Sequence, residues 1–230
     1  MIAQELYDQF RSDMVDTAKP YLWSDTDVFR YMNDAYRMFV RLTGGIADFT
    51  SDLSRVAISA GEATSPMDSR ILRVMEAYRL SDEAKIEVIN QSDMTFSQST
   101  DYGRTRPLFL DSTPGPVRYL IIGAQRNVAK WVQVPLTDDV AQLFVYRLPK
   151  DTIDPQGPDM DFSFGEIGEE HHTHLCLWMQ HLAYRKADAD TFDRGRSDEY
   201  KALFESYCAM VRAEWERYKH KTRVVTYGGL

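Results

Sequence analysis

The chain has 230 residues, 43% of them hydrophobic and 27% charged, with a formal net charge of −8 at pH 7. That length buries a sizeable core in one domain or two closely joined lobes. The acidity excludes a protein that lives by wrapping the DNA backbone, which requires a basic surface; it suits a soluble protein, or a channel wall past which DNA slides without sticking.

In chain order, Ile2, Leu6, Phe10 and Met14 recur at four-residue steps and predict a short amphipathic helix ending before Pro20. A second helix starts after Ser24 or Asp25, either of which can cap its free amides. Its inner face is Phe29, Met32, Ala35, Tyr36, Phe39 and Val40, and Gly44-Gly45 stops it. The first ten residues lack the basic and apolar regions of a signal peptide. No apolar run approaches the ~20 residues a membrane helix needs. The expectation is a protein made and kept in a cytoplasm.

From Leu53 the pattern changes to period two. Val56 and Ile58 alternate with polar residues, and Gly61 to Pro66 turns the chain. Leu72, Val74, Tyr78 and Leu80 are read as one strand face, followed by a turn at Ser81-Asp82-Glu83 and by Ile86 and Val88. Gln91 to Arg106 has little pattern and reads as a loop. PLFLD, the turn Pro114-Gly115-Pro116, Val117 to Ile122, AKWVQVPL and AQLFVYRL follow, which gives about six strands in an antiparallel sheet or small sandwich.

Pro149 to Gly165 is a connection rich in Pro, Gly and Asp. It leads into a helix from Glu166 to Ala187 with Leu175, Trp178, Met179 and Leu182 inside. After the polar link Asp188 to Ser197, a last helix carries Tyr200, Leu203, Phe204, Tyr207, Val211, Trp215 and Tyr218 on its apolar face. Cys176 and Cys208 lie within these two helices and read as buried free thiols. The expected fold is α+β: a helical bundle built from the N- and C-terminal helices, with an inserted antiparallel β region and an extended tail. Its segments are 1–50, 51–150, 151–222 and 223–230.

Past the last helix, Lys219, His220 and Lys221 suit the negative end of the helix dipole. Val224, Val225, Thr226 and Tyr227 then favour an extended backbone, and Gly228-Gly229 bars any return to helix. Arg223 to Leu230 therefore reads as an arm able to add itself as a strand to another subunit; a frayed end is the plainer alternative.

The best candidate chemistry is the run Glu169 to His174. Glu170 and His174 are four apart and His171 and His174 three apart, so they share a helix face, with His181 one heptad on. A metal-assisted hydrolase using Glu170, His171 and His174 is the alternative function, although H-E-x-x-H is absent and no further ligands stand out. Acidic residues in a first helical turn with histidines flanking an apolar stripe explain the same run. There is no G-x-S-x-G elbow and no Walker glycine loop, and no cofactor is implied. Arg217, Tyr218, Lys219, Lys221, Arg223 and Tyr227 interleave cations and aromatics, as a DNA-binding patch would.

Four stretches together resemble the head-to-tail adaptor (connector) proteins of tailed bacteriophages. WSDTDVFRYMNDAYRMFVRL resembles the family's second helix, and LIIGAQRNVAKWVQVPLTDDVAQLFVYRLPKDT its strand region. FGEIGEEHHTHLCLWMQHLAYRKADAD with YKALFESYCAMVRAEWERYK is similar to its paired helices, and RVVTYGGL to its portal-reaching tail. The resemblance implies a non-enzymatic virion protein that forms a ring of twelve copies at the head–tail junction. Such a ring docks on the portal protein through Arg223, Val224, Val225, Thr226, Tyr227, Gly228, Gly229 and Leu230, and it meets a tail or nozzle protein on its other side. DNA passes through the channel without sequence-specific binding. Tyr31, Tyr36, Tyr200 and Tyr207, aromatics lying beyond a single helix stripe, are the candidate ring contacts.

Overall fold

The computed structural model describes residues 1–90, 98–101, 104–107, 112–187 and 191–219. The chain divides into two compact units, unit 1 being Met1–Gly44 with Pro149–Leu230 and unit 2 being Gly45–Leu148.

Among the described residues, unit 1 holds four helices: α1 (Ala3–Asp13), α2 (Asp25–Thr43), α3 (Leu175–Arg185) and α4 (Arg194–Lys219). α1 buries Leu6 and Phe10 completely, as a four-residue repeat should. α2 starts where Ser24 Oγ accepts the Asp27 amide at 3.2 Å, and it ends at Gly44, whose φ of 105° is a left-handed cap. A 3-10 turn, Glu169–His174, leads into α3. α3 packs against both α2 and α4. On α4 only part of the expected stripe is inside: Phe204, Cys208 and Val211 are buried, whereas Leu203 is half exposed and Tyr218 is 89% exposed.

Unit 2 contains β1 (Ile46–Asp48), β2 (Arg55–Ile58), β3 (Thr64–Pro66), β4 (Ile71–Arg79), β5 (Lys85–Asn90), β6 (Gln98–Asp101), β7 (Arg104–Pro107), β8 (Tyr119–Ile122), β9 (Val128–Val132) and β10 (Asp139–Arg147). Eight of them form one sheet in the order β1-β10-β4-β5-β8-β9-β3, with β2 also on β10; β6 and β7 make a separate hairpin. The core is a cluster that includes Val56, Ile86, Leu120, Trp131, Leu143 and Val145. Trp131 Nε1 donates to Ser65 Oγ at 2.8 Å, and that hydroxyl donates to the Ala57 carbonyl at 2.5 Å, which ties β9, β3 and β2 together.

This corrects the expected fold class. The molecule is not a bundle of N- and C-terminal helices with an inserted antiparallel β region; among the described residues it has four helices and a large, curled, mixed half-barrel of eight strands. The sheet is mixed because β5 and β8 run parallel. The long connection from Asn90 to Tyr119, which contains the β6–β7 hairpin, gives the chain room to cross back before pairing. Curling brings β3 beside β2, so the sheet encloses its own core.

The reading of β4 also needs correction. Its pairing with β10 shifts register twice, skipping Met75 and then Leu72. Each extra residue reverses which side chains point inward. Val74 and Ala77 consequently face the core, while Leu72 and Met75 are exposed.

Candidate functional site

No catalytic constellation forms at the histidine run. His171 Nδ1 lies 2.9 Å from the Tyr207 hydroxyl, and its Nε2 is 3.6 Å from Glu170 Oε1. His174 stacks on the Tyr207 ring at 3.6 Å with the planes 3° apart. His172 turns elsewhere, with Nε2 at 3.2 Å from the Ile167 carbonyl oxygen and its ring against Phe164. His181 Nδ1 is 2.9 Å from Ser197 Oγ at the start of α4. The four imidazoles thus fasten the 3-10 turn and α3 to their neighbours. Burial pushes the His171 pKa below the usual imidazole value, with the Glu170 carboxylate partly offsetting it. Among the described residues, no group of three or more His, Cys, Asp or Glu is placed to hold a metal. Cys176 and Cys208 are free and buried, and burial raises both thiol pKa values, Cys208 to about 12.

The four tyrosines singled out in the sequence divide between core and surface. Tyr36 is 1% exposed, edge-on to Phe164. Tyr31 is half-buried, and burial, together with Asp27, raises its hydroxyl to about 12. Tyr200 stacks on Tyr184 with ring centroids 5.9 Å apart, and Tyr207 on His174; each keeps one edge in solvent. Arg223 to Leu230 lies outside the described residues, as do His220 and Lys221. What is described is the approach to them: α4 runs unbroken to Lys219, with Arg217 and Tyr218 exposed. The proposed DNA patch is therefore only partly described.

Two exposed apolar surfaces went unnoticed in the sequence. On the outer face of the sheet, Phe49 is 62% exposed and sits edge-on to Phe144, which neighbours Tyr146. Leu72 and Met75, turned outward by the register shifts, lie on β4, the strand paired with β10, and Arg73 lies over the Tyr146 ring at 5.9 Å. The available signal was AQLFVYRL: Ala141, Leu143 and Val145 face in, but Phe144 and Tyr146 between them are also apolar, the pattern of a strand covered on both faces. On α4, Leu203 and Met210 are 50% and 51% exposed, one heptad apart on one face.

Apolar side chains left exposed on both units suit a protein built for assembly. A family model described as SU10 adaptor protein matches residues 1–225. The chain belongs to that family, one of phage head-to-tail adaptors. No curated protein matches it. Among the described residues, no helix is long and apolar enough to cross a membrane.

Proposed function

We propose that this phage adaptor closes into a ring, of twelve copies by the resemblance, beneath the portal, and that the ring forms part of the genome exit channel. The observation that carries this reading is the family match over residues 1–225, which takes in both units and the start of the tail. Residues Arg223 to Leu230 dock on the portal protein by strand addition, lending backbone hydrogen bonds and the side chains of Val224, Val225 and Tyr227. The opposite side of the ring meets a tail or nozzle protein. Tyr31, Tyr200 and Tyr207 contribute to contacts between copies, Tyr200 already steadied by Tyr184 and Tyr207 by His174. At −8 per chain, twelve copies carry −96, an acidic wall to which DNA adheres little. Assembly takes place in the host cytoplasm and the product resides in the virion.

Deleting Val224 to Leu230 tests the docking role. The truncated chain should melt as the full chain does and lose its attachment to portal rings in a pull-down or by electron microscopy. Full-affinity binding by the truncated chain would remove the role assigned to the tail.

A further inference from the structure

We propose that α4 of one copy packs across the outer sheet face of the next, so that the α4 stripe around Leu203 and Met210 covers the aromatic patch around Phe49, Phe144 and Tyr146. The inference rests on the ring reading above and names the surfaces that make the ring. A closed ring needs two different patches per subunit, each meeting the other on a neighbour. The chain offers two such patches, one on each unit: Leu203 and Met210 are half exposed on α4, and on the sheet Phe49, Leu72 and Met75 are exposed beside the half-buried Phe144 and Tyr146.

Their charges are complementary. On α4, Glu199 stands four residues before Leu203 and Glu214 four after Met210, so both acids lie on the apolar stripe. Other α4 acids are satisfied within the helix: Asp198 by Arg194, Glu205 by Lys201 and Glu216 by Arg212. Glu199 and Glu214 have no ion-pair partner among the described residues. The stripe thus reads acid, apolar, apolar, acid. Along β10 the sheet patch reads cation, aromatic, aromatic, cation, and Glu76, opposite Phe144 on β4, is neutralised by Lys85 at 3.2 Å. Arg55 Nε is 3.3 Å from Gln142 Oε1 at one end of the outward row on β10, and Arg73 sits beside Tyr146 at the other. Arg55 has only a loose, exposed partner in Asp52, at 3.5 Å, and Arg73 has no carboxylate partner among the described residues.

The lengths agree as well. Gln142 to Tyr146 spans about 13 Å along an extended strand. Leu203 to Met210 spans about 10 Å along a helix and Glu199 to Glu214 about 22 Å. Long Arg and Glu side chains close the remaining ~4 Å at each end. The residues between the large ones on the adjoining helix surface, Ala202, Ser206, Ala209 and Ala213, are small and exposed, so the helix can lie close to the pleat. The double register shift in β4 has its use here, since it turns Leu72 and Met75 out beside the aromatics.

The test is charge reversal scored by ring formation on portal particles, with electron microscopy and native mass as readouts. Arg73→Glu and Glu214→Arg should each raise the concentration needed for rings at least about tenfold, because like charges then face each other. Arg73, Glu199 and Glu214 are all exposed, so the melting temperatures of the reversals should stay at the wild-type value. Arg73→Glu should be rescued by either Glu214→Arg or Glu199→Arg, not by both, and the rescuing partner fixes the direction in which the helix lies. A copy with Phe49→Cys and a second copy with Leu203→Cys or Met210→Cys should give a disulfide between chains in the mixed ring. Rings that form normally with either single reversal, doubles no better than singles, or mixed rings that give no disulfide between chains would overturn the inference and leave the ring standing. A wild-type chain that never closes into a ring on the portal would overturn the ring reading itself, and this inference with it.

Discussion

In unit 1 the helices are held in place by side chains reaching from one element to another, whereas in unit 2 the strands are held by the backbone ladder. Asn33 of α2 both donates to and accepts from the backbone of Ile153, at 2.7 and 2.9 Å. Trp178 Nε1 donates to Asp34 at 2.8 Å, and Trp23 Nε1 donates to the Ala183 carbonyl at 3.1 Å. Unit 2 also has buried side-chain joints, Arg147 with Asp48 where β1 meets β10 and Trp131 with Ser65 where β9 meets β3, but they join strands that the ladder already places. The difference follows from where each element spends its hydrogen bonds. A helix satisfies its backbone internally and leaves its placement to side chains, while a strand places itself by satisfying its backbone. Loss of a polar joint should therefore damage unit 1 more than its share of contacts suggests.

The strongest way to break the comparison is at Arg11. Its guanidinium is 4% exposed and paired with buried Asp16; it also donates to the Trp23 carbonyl at 2.8 Å and to Asp25 at 2.7 Å. Asp16 in turn accepts the Leu22 amide at 2.9 Å, so one cation fixes α1, the connecting loop and the start of α2. Arg11→Met leaves a buried carboxylate without its counter-ion, at a cost of about 3–5 kcal/mol. Denaturant titration should show that loss, and Asp16→Asn in the same chain should recover part of it. A loss below ~1 kcal/mol would mean that unit 1 is held by apolar burial and not by its polar joints.

How much of this was legible varies with how local the cause is. The limits of α2 could be read directly, because Ser24 and Gly44 act on their own neighbours. The curl of the sheet could not, since the parallel pairing of β5 with β8 depends on where a long connection happens to return. Nor could the outward turn of Leu72 and Met75: a bulge is decided by both strands, and the β4 sequence alone still alternates well enough to mislead. The histidine run showed the opposite failing. Its spacing suited a metal, but its chemistry is set by Tyr207, which lies far along the chain on α4. The outward aromatics Phe144 and Tyr146 were legible in AQLFVYRL as the mark of a two-faced strand.

Acid should separate the units by a smaller margin, since single protons are involved. His171 is kept neutral by burial, so its folded pKa lies below an imidazole's ordinary 6.5. Its contribution to unit 1 is complete above that value and declines as pH falls from 6.5 toward the folded pKa, because the unfolded chain takes up the proton first. For Asp48 in unit 2, burial alone would raise the pKa, but hydrogen bonds from Ser51 and Arg147 prevail and hold it well below the ordinary 3.8. Its contribution persists until pH falls below 3.8. Denaturation midpoints measured from pH 7.5 to 5 should therefore fall in the wild type and fall less in His171→Asn, while Asp48→Asn should keep the wild-type slope in that range. An unchanged slope in His171→Asn would show that the buried imidazole does not carry the acid sensitivity of unit 1.

The smallest expected effect tests whether even exposed polar joints matter in unit 1. Ser24 Oγ accepts the Asp27 amide and donates to the Asp27 carboxylate at 2.8 Å, while Lys186 reaches the same carboxylate at 3.0 Å. Burial would raise the Asp27 pKa, and these two partners together hold it below the ordinary value. Ser24→Ala frees one end of α2 and loosens the link to the residue following α3, at a cost of about 1 kcal/mol. Ser24→Asp keeps a capping acceptor but sets a second carboxylate beside Asp27, so it should recover the helix start and lose the hydroxyl's donated bond. Stability ordered Ser, then Asp, then Ala in thermal melts would assign the effect to capping. Ala and Asp falling together would assign it to the bond donated to Asp27, and so to the contact between α2 and α3.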